Sequence, residues 1–154
     1  MSSEDYDVRT LRADDFDDLV RIDAHSVGRP RPEYYKLKLK NALEDTGVRI
    51  SLAAERDGTM VGFLMGSVYY GDYGQPEPVA TLEAINVLPD FRGEGVGKAL
   101  WEQFSKNAKA MRIDRIETQV DWANWELLRF LQRIGFAPAA RVCVERRLDF
   151  EGDD

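Results

Sequence analysis

The sequence predicts an α/β protein (α+β by some schemes), a mixed β-sheet with helices packed on it. Three observations carry that expectation. The second half of the chain alternates strand and helix patterns, which implies parallel pairing there through right-handed crossovers. Val79–Val87 is apolar on both faces apart from Glu83 and the two ends, the pattern of a central strand covered on both sides. Upstream, Asp57-Gly58 separates two apolar segments and supplies the positive φ angles of a tight antiparallel hairpin.

The elements follow in order. A short strand occupies about Asp7–Arg12. Asp14 caps a helix to Val27, with Phe16, Leu19, Val20 and Val27 on the 3.6-residue period and Gly28 at its end. Arg29-Pro30-Arg31-Pro32 breaks the chain. A second helix runs from Glu33 to Asp45, with Tyr35, Leu39, Ala42 and Leu43 on one face and Gly47 as its stop. The hairpin strands are Ile50–Glu55 and Met60–Tyr70, and residues 71–78 form a loop rich in Gly, Pro and Asp. After the central strand, a glycine-rich turn leads into a helix over Gly95–Met111. Strand Arg115–Val120, helix Asn124–Ile134, Gly135-Phe136 and a last strand Arg141–Leu148 complete the order β-αα-βββ-α-β-α-β(β). Residues 1–5 and the acidic tail 151–154 are expected to fray, leaving one domain over residues 6–150.

Composition narrows the function. The chain has 154 residues, 21 Lys plus Arg against 28 Asp plus Glu, and a net charge of −7, the balance of a soluble globular protein with one core. No apolar run approaches the ~20 residues of a membrane span, Met1–Asp5 is acidic rather than a basic leader, and no Lys/Arg stripe offers a nucleic-acid surface. A cytoplasmic protein without membrane or nucleic-acid partners is expected. Cys143 is the single cysteine and His25 the single histidine, so there is no internal disulfide, no Cys/His zinc cluster and no expected metal. A Ser-His-Asp or Cys-His mechanism would have to use His25, which falls in an amphipathic helix. Chemistry must come from carboxylates, tyrosines, backbone groups or a carried cofactor.

The turn after the central strand, Leu88–Leu100, places Gly93, Gly95 and Gly97 at alternate positions at a helix N-terminus. Backbone N–H groups can converge there without Cβ obstruction, where the helix carries partial positive charge. Arg92 and Lys98 add full charges suited to a pyrophosphate. Three glycines with two cations exceed what a tight strand-to-helix turn requires. A Walker A loop is excluded, because Gly93 and Gly97 enclose three residues rather than four and Ala99 follows Lys98. A dinucleotide fingerprint is excluded because Lys98 stands where its last glycine belongs.

At these residues the chain resembles the GNAT family of N-acetyltransferases. The family's acyl-CoA signature, Gln/Arg-x-x-Gly-x-Gly/Ala, is met by Arg92, Gly95 and Gly97 after Val87-Leu88-Pro89, and Asn124 with Gly135-Phe136 resembles its C-terminal Asn…Gly-Phe signature. The resemblance spans essentially the whole chain. It implies a mostly antiparallel mixed sheet with helices on both faces and a splayed parallel strand pair, whose ends near Val87 and Val120 part into a V-shaped cleft. It also implies acetyl-CoA as co-substrate. The pantetheine arm would bond the backbone of Ile85 and Val87, and the pyrophosphate would meet Arg92 and the amides of Gly93, Glu94, Gly95, Val96, Gly97 and Lys98. Asn124 and Phe130 join the acyl-CoA residues by the same resemblance. The implied reaction moves an acetyl group to a primary amine of a small molecule, peptide or protein by direct attack. The alternative is a non-catalytic acyl-CoA-binding module of the same fold.

Direct attack needs a neutral amine, and so a base or water chain to take a proton. It also needs a donor for the thioester oxygen, for which the Val87 N–H is the candidate. Glu83 is the candidate base. Two-residue periodicity places it on the face of Thr81, Ile85 and Val87, where burial would raise its pKa; the competing reading is a structural ion pair or a cleft-lining group. Asp121 is a second carboxylate, more simply read as the cap of the following helix. Many family members carry a Tyr acid four residues before the Gly-Phe pair, where this chain has Leu131. Tyr73, or its neighbours Tyr69 and Tyr70, is then the candidate acid unless the thiolate leaves unassisted. Trp122 and Trp125 flank Asn124 and suit core filling or a pocket wall. Tyr34 and Tyr35 lie on the segment that shapes the acceptor site in the family, and the negative net charge favours a cationic amine. Only Ala137–Ala140 separates Phe136 from Arg141–Leu148, too short for a long closing hairpin. A two-fold homodimer is therefore expected, with Arg141–Phe150 at or near its interface and helping to close the acceptor site.

Overall fold

In a computed structural model the structure describes residues 6–44, 50–69 and 77–150, and the chain forms two compact units, Met1–Gln119 and Val120–Asp154. The first unit carries the sheet. Strand β1 (Asp7–Thr10) leads through a 3-10 turn into α1 (Phe16–Val27) and α2 (Pro32–Glu44); β2 (Leu52–Arg56), β3 (Thr59–Tyr69) and β4 (Val79–Val87) follow, then α3 (Val96–Ala110) and β5 (Ile116–Glu117). The sheet order is β1-β2-β3-β4-β5, with antiparallel pairs up to β4 and a parallel β4–β5 pair. The second unit holds α4 (Trp125–Arg133). The mixed, mostly antiparallel sheet is the expected one.

Physical reasons for the elements are local. Asp57 (φ 53°) and Gly58 (φ 79°) both take the left-handed conformation, as the two-residue hairpin requires. On one face of the sheet, Leu19 and Ile22 of α1 and Tyr35 and Leu39 of α2 pack with Phe63 and Met65 of β3. The rings of Tyr35 and Phe63 meet edge-on at 5.8 Å. On the other face lies α3. A Cβ on Gly66 would fall 2.5 Å from Phe104 Cε1, so the bare backbone of β3 lets that helix settle onto the sheet.

Several boundaries differ from expectation. Strand β5 is two residues long rather than spanning Arg115–Val120. Between β3 and β4 the register shifts: Met65 pairs with Ala84 but Gly66 pairs with Leu82, leaving Glu83 as the extra residue of a β-bulge. Arg141–Leu148 is not a strand. Alternating apolar residues permit a strand but do not make one; a ladder partner does, and among the described residues this segment has none.

Candidate functional site

The parallel β4–β5 pairing covers only Ala80 with Ile116 and Thr81 with Glu117. One further bond, Thr118 Oγ1 donating to Leu82 O at 2.7 Å, closes it. Beyond that point β4 continues for five residues on which β5 has no partner. The phase of the β3–β4 ladder decides which backbone groups face the gap. Leu88 N donates to Val61 O at 2.9 Å, so Gly62–Val87 and Leu64–Ile85 are the alternate pairs that do not bond each other. The N–H and C=O groups of Ile85 and Val87 therefore turn away from β3, to the side that β5 has left. Arg92 already engages one of these groups, its Nε donating to Val87 O at 3.2 Å.

The turn at the end of β4 leaves backbone donors without a side-chain cap. Gly93 (φ 76°) and Gly95 (φ 92°) are both left-handed, a conformation costly for residues with a Cβ. Gly95 is the N-cap of α3, no side chain caps that helix, and its first turn carries no acidic residue. Helical bonding begins with Ala99 N to Gly95 O at 3.0 Å, so the N–H groups of Val96, Gly97 and Lys98 emerge together at the positive end of a 15-residue helix. Tyr6 OH donates to Glu94 O at 3.3 Å, tying the turn to the start of β1, and Val96 is fully buried. Lys98 lies in solvent, 3.9 Å from Glu102. Converging amides without a side-chain cap, with Arg92 beside them, fit a diphosphate.

On the α1/α2 face the bulge changes the expected arrangement. Val87 lies on the α3 side: a Cβ on its neighbour Gly62 would meet both Val87 Cγ2 and Val96 Cγ1. Glu83 instead reaches Lys38 of α2, Oε1 to Nζ at 3.5 Å. Glu83 therefore does not share a face with Ile85 and Val87. The extra residue of the bulge breaks the two-residue alternation between them. Its side chain is 26% exposed.

A hydrogen-bonded chain links both helices to the turn. Asp23 of α1 is buried. It accepts two bonds from Arg31, each of 2.8 Å, one from Tyr35 OH at 2.8 Å, and a longer one from Asn86 Nδ2 at 3.4 Å. Ser26 Oγ donates to Asn86 Oδ1 at 3.0 Å, and Arg92 Nη2 donates to Ser26 Oγ at 3.0 Å. Burial, and then the bond to Asp23, push the Tyr35 phenol far above its ordinary pKa. Tyr34 is half-exposed, with the Arg31 guanidinium 4.5 Å from its ring centroid and Lys38 Nζ at 5.8 Å.

The sequence comparisons agree with this geometry. A profile of the acetyltransferase (GNAT) family matches residues 8–136. The chain belongs to the GNAT acetyltransferase family. It is 30% identical over 133 residues to a mycothiol acetyltransferase of Propionibacterium freudenreichii subsp. shermanii, covering 82% of this chain and 41% of that protein. An uncharacterized N-acetyltransferase of Archaeoglobus fulgidus is 29% identical over 134 residues, 80% of this chain and 88% of that one. The chain thus spans well under half the length of the mycothiol acetyltransferases it matches. Among solved structures, an aminoglycoside N-acetyltransferase in complex with CoA superposes with a TM-score of 0.77 at 22% identity, covering 92% of this chain and 94% of that one. A ribosomal-protein-alanine N-acetyltransferase of Brucella melitensis biovar Abortus gives 0.74 at 21%, covering 92% and 99%. These share the fold.

The other GNAT positions fall as follows. In the second unit, Asn124 caps α4, its Oδ1 accepting from Leu127 N at 3.2 Å; the capping role considered for Asp121 belongs to Asn124. Phe130 is half-buried and Leu131 buried. Trp122 and Trp125 are exposed rather than core. Tyr69 pairs with Val79, at the opposite end of β4 from Ile85 and Val87, which removes it from the cleft. Tyr70 and Tyr73 lie outside the described residues. The sequence reading missed Asp23, Ser26, Lys38 and Asn86. A signal existed for Asp23 alone: it stands four residues after Leu19 and seven after Phe16, a carboxylate in the apolar stripe that must find partners.

Proposed function

We propose that this GNAT chain is an acetyl-CoA-dependent N-acetyltransferase that moves an acetyl group to a primary amine by direct attack. The observation that carries the reading is the open edge of β4 at Ile85 and Val87 running directly into an uncapped helix N-terminus through left-handed Gly93 and Gly95. Acetyl-CoA supplies the acetyl group as a thioester. The Ile85 and Val87 backbone holds the pantetheine arm as an added strand would be held, with the Val87 N–H as donor to the thioester oxygen. Arg92 and the amides of residues 93–98 take the diphosphate. By their match to the family's C-terminal signature, Asn124 and Phe130 are further candidate acyl-CoA residues.

The acceptor amine enters on the α1/α2 side, where the Glu83 carboxylate takes its proton directly or through water. Tyr73 or Tyr70 is the candidate to protonate the leaving thiolate, unless the thiolate leaves unassisted. The acceptor is an amine-bearing small molecule, peptide or protein; neighbours named for aminoglycosides and for a ribosomal-protein alanine support that breadth. Leu131, buried where many relatives carry the Tyr acid, favours as second reading a non-catalytic acyl-CoA-binding module.

Thermal unfolding with acetyl-CoA tests the placement of the site. Ligand at a hundredfold its Kd stabilises the fold by about 2.7 kcal/mol. Gly95→Glu abolishes the shift by repelling the diphosphate, whereas Gly95→Ala, strained but uncharged, lowers the baseline Tm and retains most of the shift. An undiminished shift in Gly95→Glu contradicts the placement.

A further inference from the structure

The acceptor side runs against the charge of the whole chain. The net charge is −7, yet residues 29–40 hold Arg29, Arg31, Lys36, Lys38 and Lys40 against Glu33 alone. Two of these cations stand at the site itself. Arg31 is consumed by the buried Asp23, to which it makes two bonds of 2.8 Å. Lys38 is held differently. Its Nζ lies 3.5 Å from Glu83 Oε1, and its side chain is 28% exposed. We propose that Lys38 selects an acceptor carrying an anionic group, a carboxylate or a phosphate, a few bonds from its amine. This rests on the acetyl transfer, and on the role of Glu83, proposed above.

The pair itself supplies the reason. An acceptor amine must take the place beside Glu83 that Lys38 Nζ now holds. Once Glu83 accepts a hydrogen bond from that amine, the largely covered Lys38 ammonium loses its counter-charge. A partly buried charge without a partner is costly. An anion on the acceptor removes that cost with a charge-assisted hydrogen bond, and the flexible lysine stem lets Nζ turn to meet it. A second cation on the acceptor would instead add like-charge repulsion. The half-exposed Tyr34 ring, where a cationic acceptor would otherwise find a partner, already has Arg31 at 4.5 Å and Lys38 Nζ at 5.8 Å. The net charge draws cations at long range, but salt screens it beyond ~8 Å. The groups at the site decide.

Acceptors that differ by one charge test this. Initial rates with acetyl-CoA are measured for a dipeptide and its C-terminal amide, for phosphoethanolamine and ethanolamine, and for a polyamine. The proteins are wild type, K38M, K38R and K38E, and kcat/KM is referred to the unprotonated amine. In wild type, at least one anionic acceptor is expected to exceed its uncharged partner by ~10-fold or more, and the pair that shows it tells carboxylate from phosphate. K38M brings that ratio to within about threefold, mainly through KM. K38R keeps the preference, and K38E turns it toward the polyamine. All variants retain the acetyl-CoA thermal shift, which reports the fold and the acyl-CoA side separately. A wild type that prefers the polyamine or both uncharged partners overturns the proposal and leaves acetyl transfer standing. So does a K38M that keeps the ratio or slows every acceptor equally. Thiol release with no amine at all in wild type overturns the acetyl transfer and this selectivity with it.

Discussion

Glu83 and Asp23 are carboxylates on neighbouring elements with opposite surroundings. Asp23 is enclosed and satisfied by Arg31 and Tyr35, whereas Glu83 is partly open and meets Lys38, the setting that the proposed role as base requires. Glu83→Gln is expected to keep the acetyl-CoA thermal shift while lowering kcat, most strongly below the pKa of the amine; turnover at pH 7 within about twofold of wild type contradicts its role as base. Asp15 gives a pH-dependent stability. Burial alone would raise its carboxyl, but the Arg9 hydrogen bonds and the Arg12 backbone N–H outweigh that and hold it below its ordinary range. The unfolded chain binds this proton first as pH falls, so the contribution is whole above the ordinary carboxylate pKa of about 3.9 and is lost on descent through the lower folded value. Acid titration of Tm should show a steeper fall below about pH 4 in wild type than in Asp15→Asn; equal slopes contradict the assignment. A charge inside an apolar stripe, as at Asp23, was legible in the sequence. The Lys38–Glu83 meeting was not, because it depends on how α2 lies on the sheet.

At the scale of elements, glycines in β3 set how closely α3 approaches. Gly66→Ala drives a methyl against Phe104 and the Thr81 carbonyl and is expected to cost about 1–3 kcal/mol. Phe104→Leu in the same chain recovers part of it, and urea midpoints measure both. A neutral Gly66→Ala contradicts the packing. Val79–Val87 and the Asp57-Gly58 hairpin were legible because burial on both faces and a two-residue turn leave direct signatures. The bulge at Glu83 was not, since register belongs to the pair of strands rather than to one of them. The same limit explains β5 and Arg141–Leu148, whose patterns promise longer strands than the ladders among the described residues include.

For the whole molecule, two short motifs in order on the right elements were enough to point to the GNAT family, which the profile match over residues 8–136 shows. The proposed acyl-CoA side leaves a signature in the sequence because it rests on backbone and glycines, whose positions follow from the chain itself. The proposed acceptor side does not, because it depends on how the side chains of α1 and α2 meet the sheet, which no single segment's pattern fixes. The central claim is amine acetylation, and its most direct measurement is thiol release from acetyl-CoA, with product mass, across polyamines, aminoglycosides, alanine-ended peptides and lysine-bearing proteins. Thiol release is expected to depend on at least one amine, to be matched by an equal amount of acetylated amine, and to fall in Glu83→Gln. Stabilisation by acetyl-CoA with no amine-dependent thiol release across the panel contradicts it and leaves the binding module.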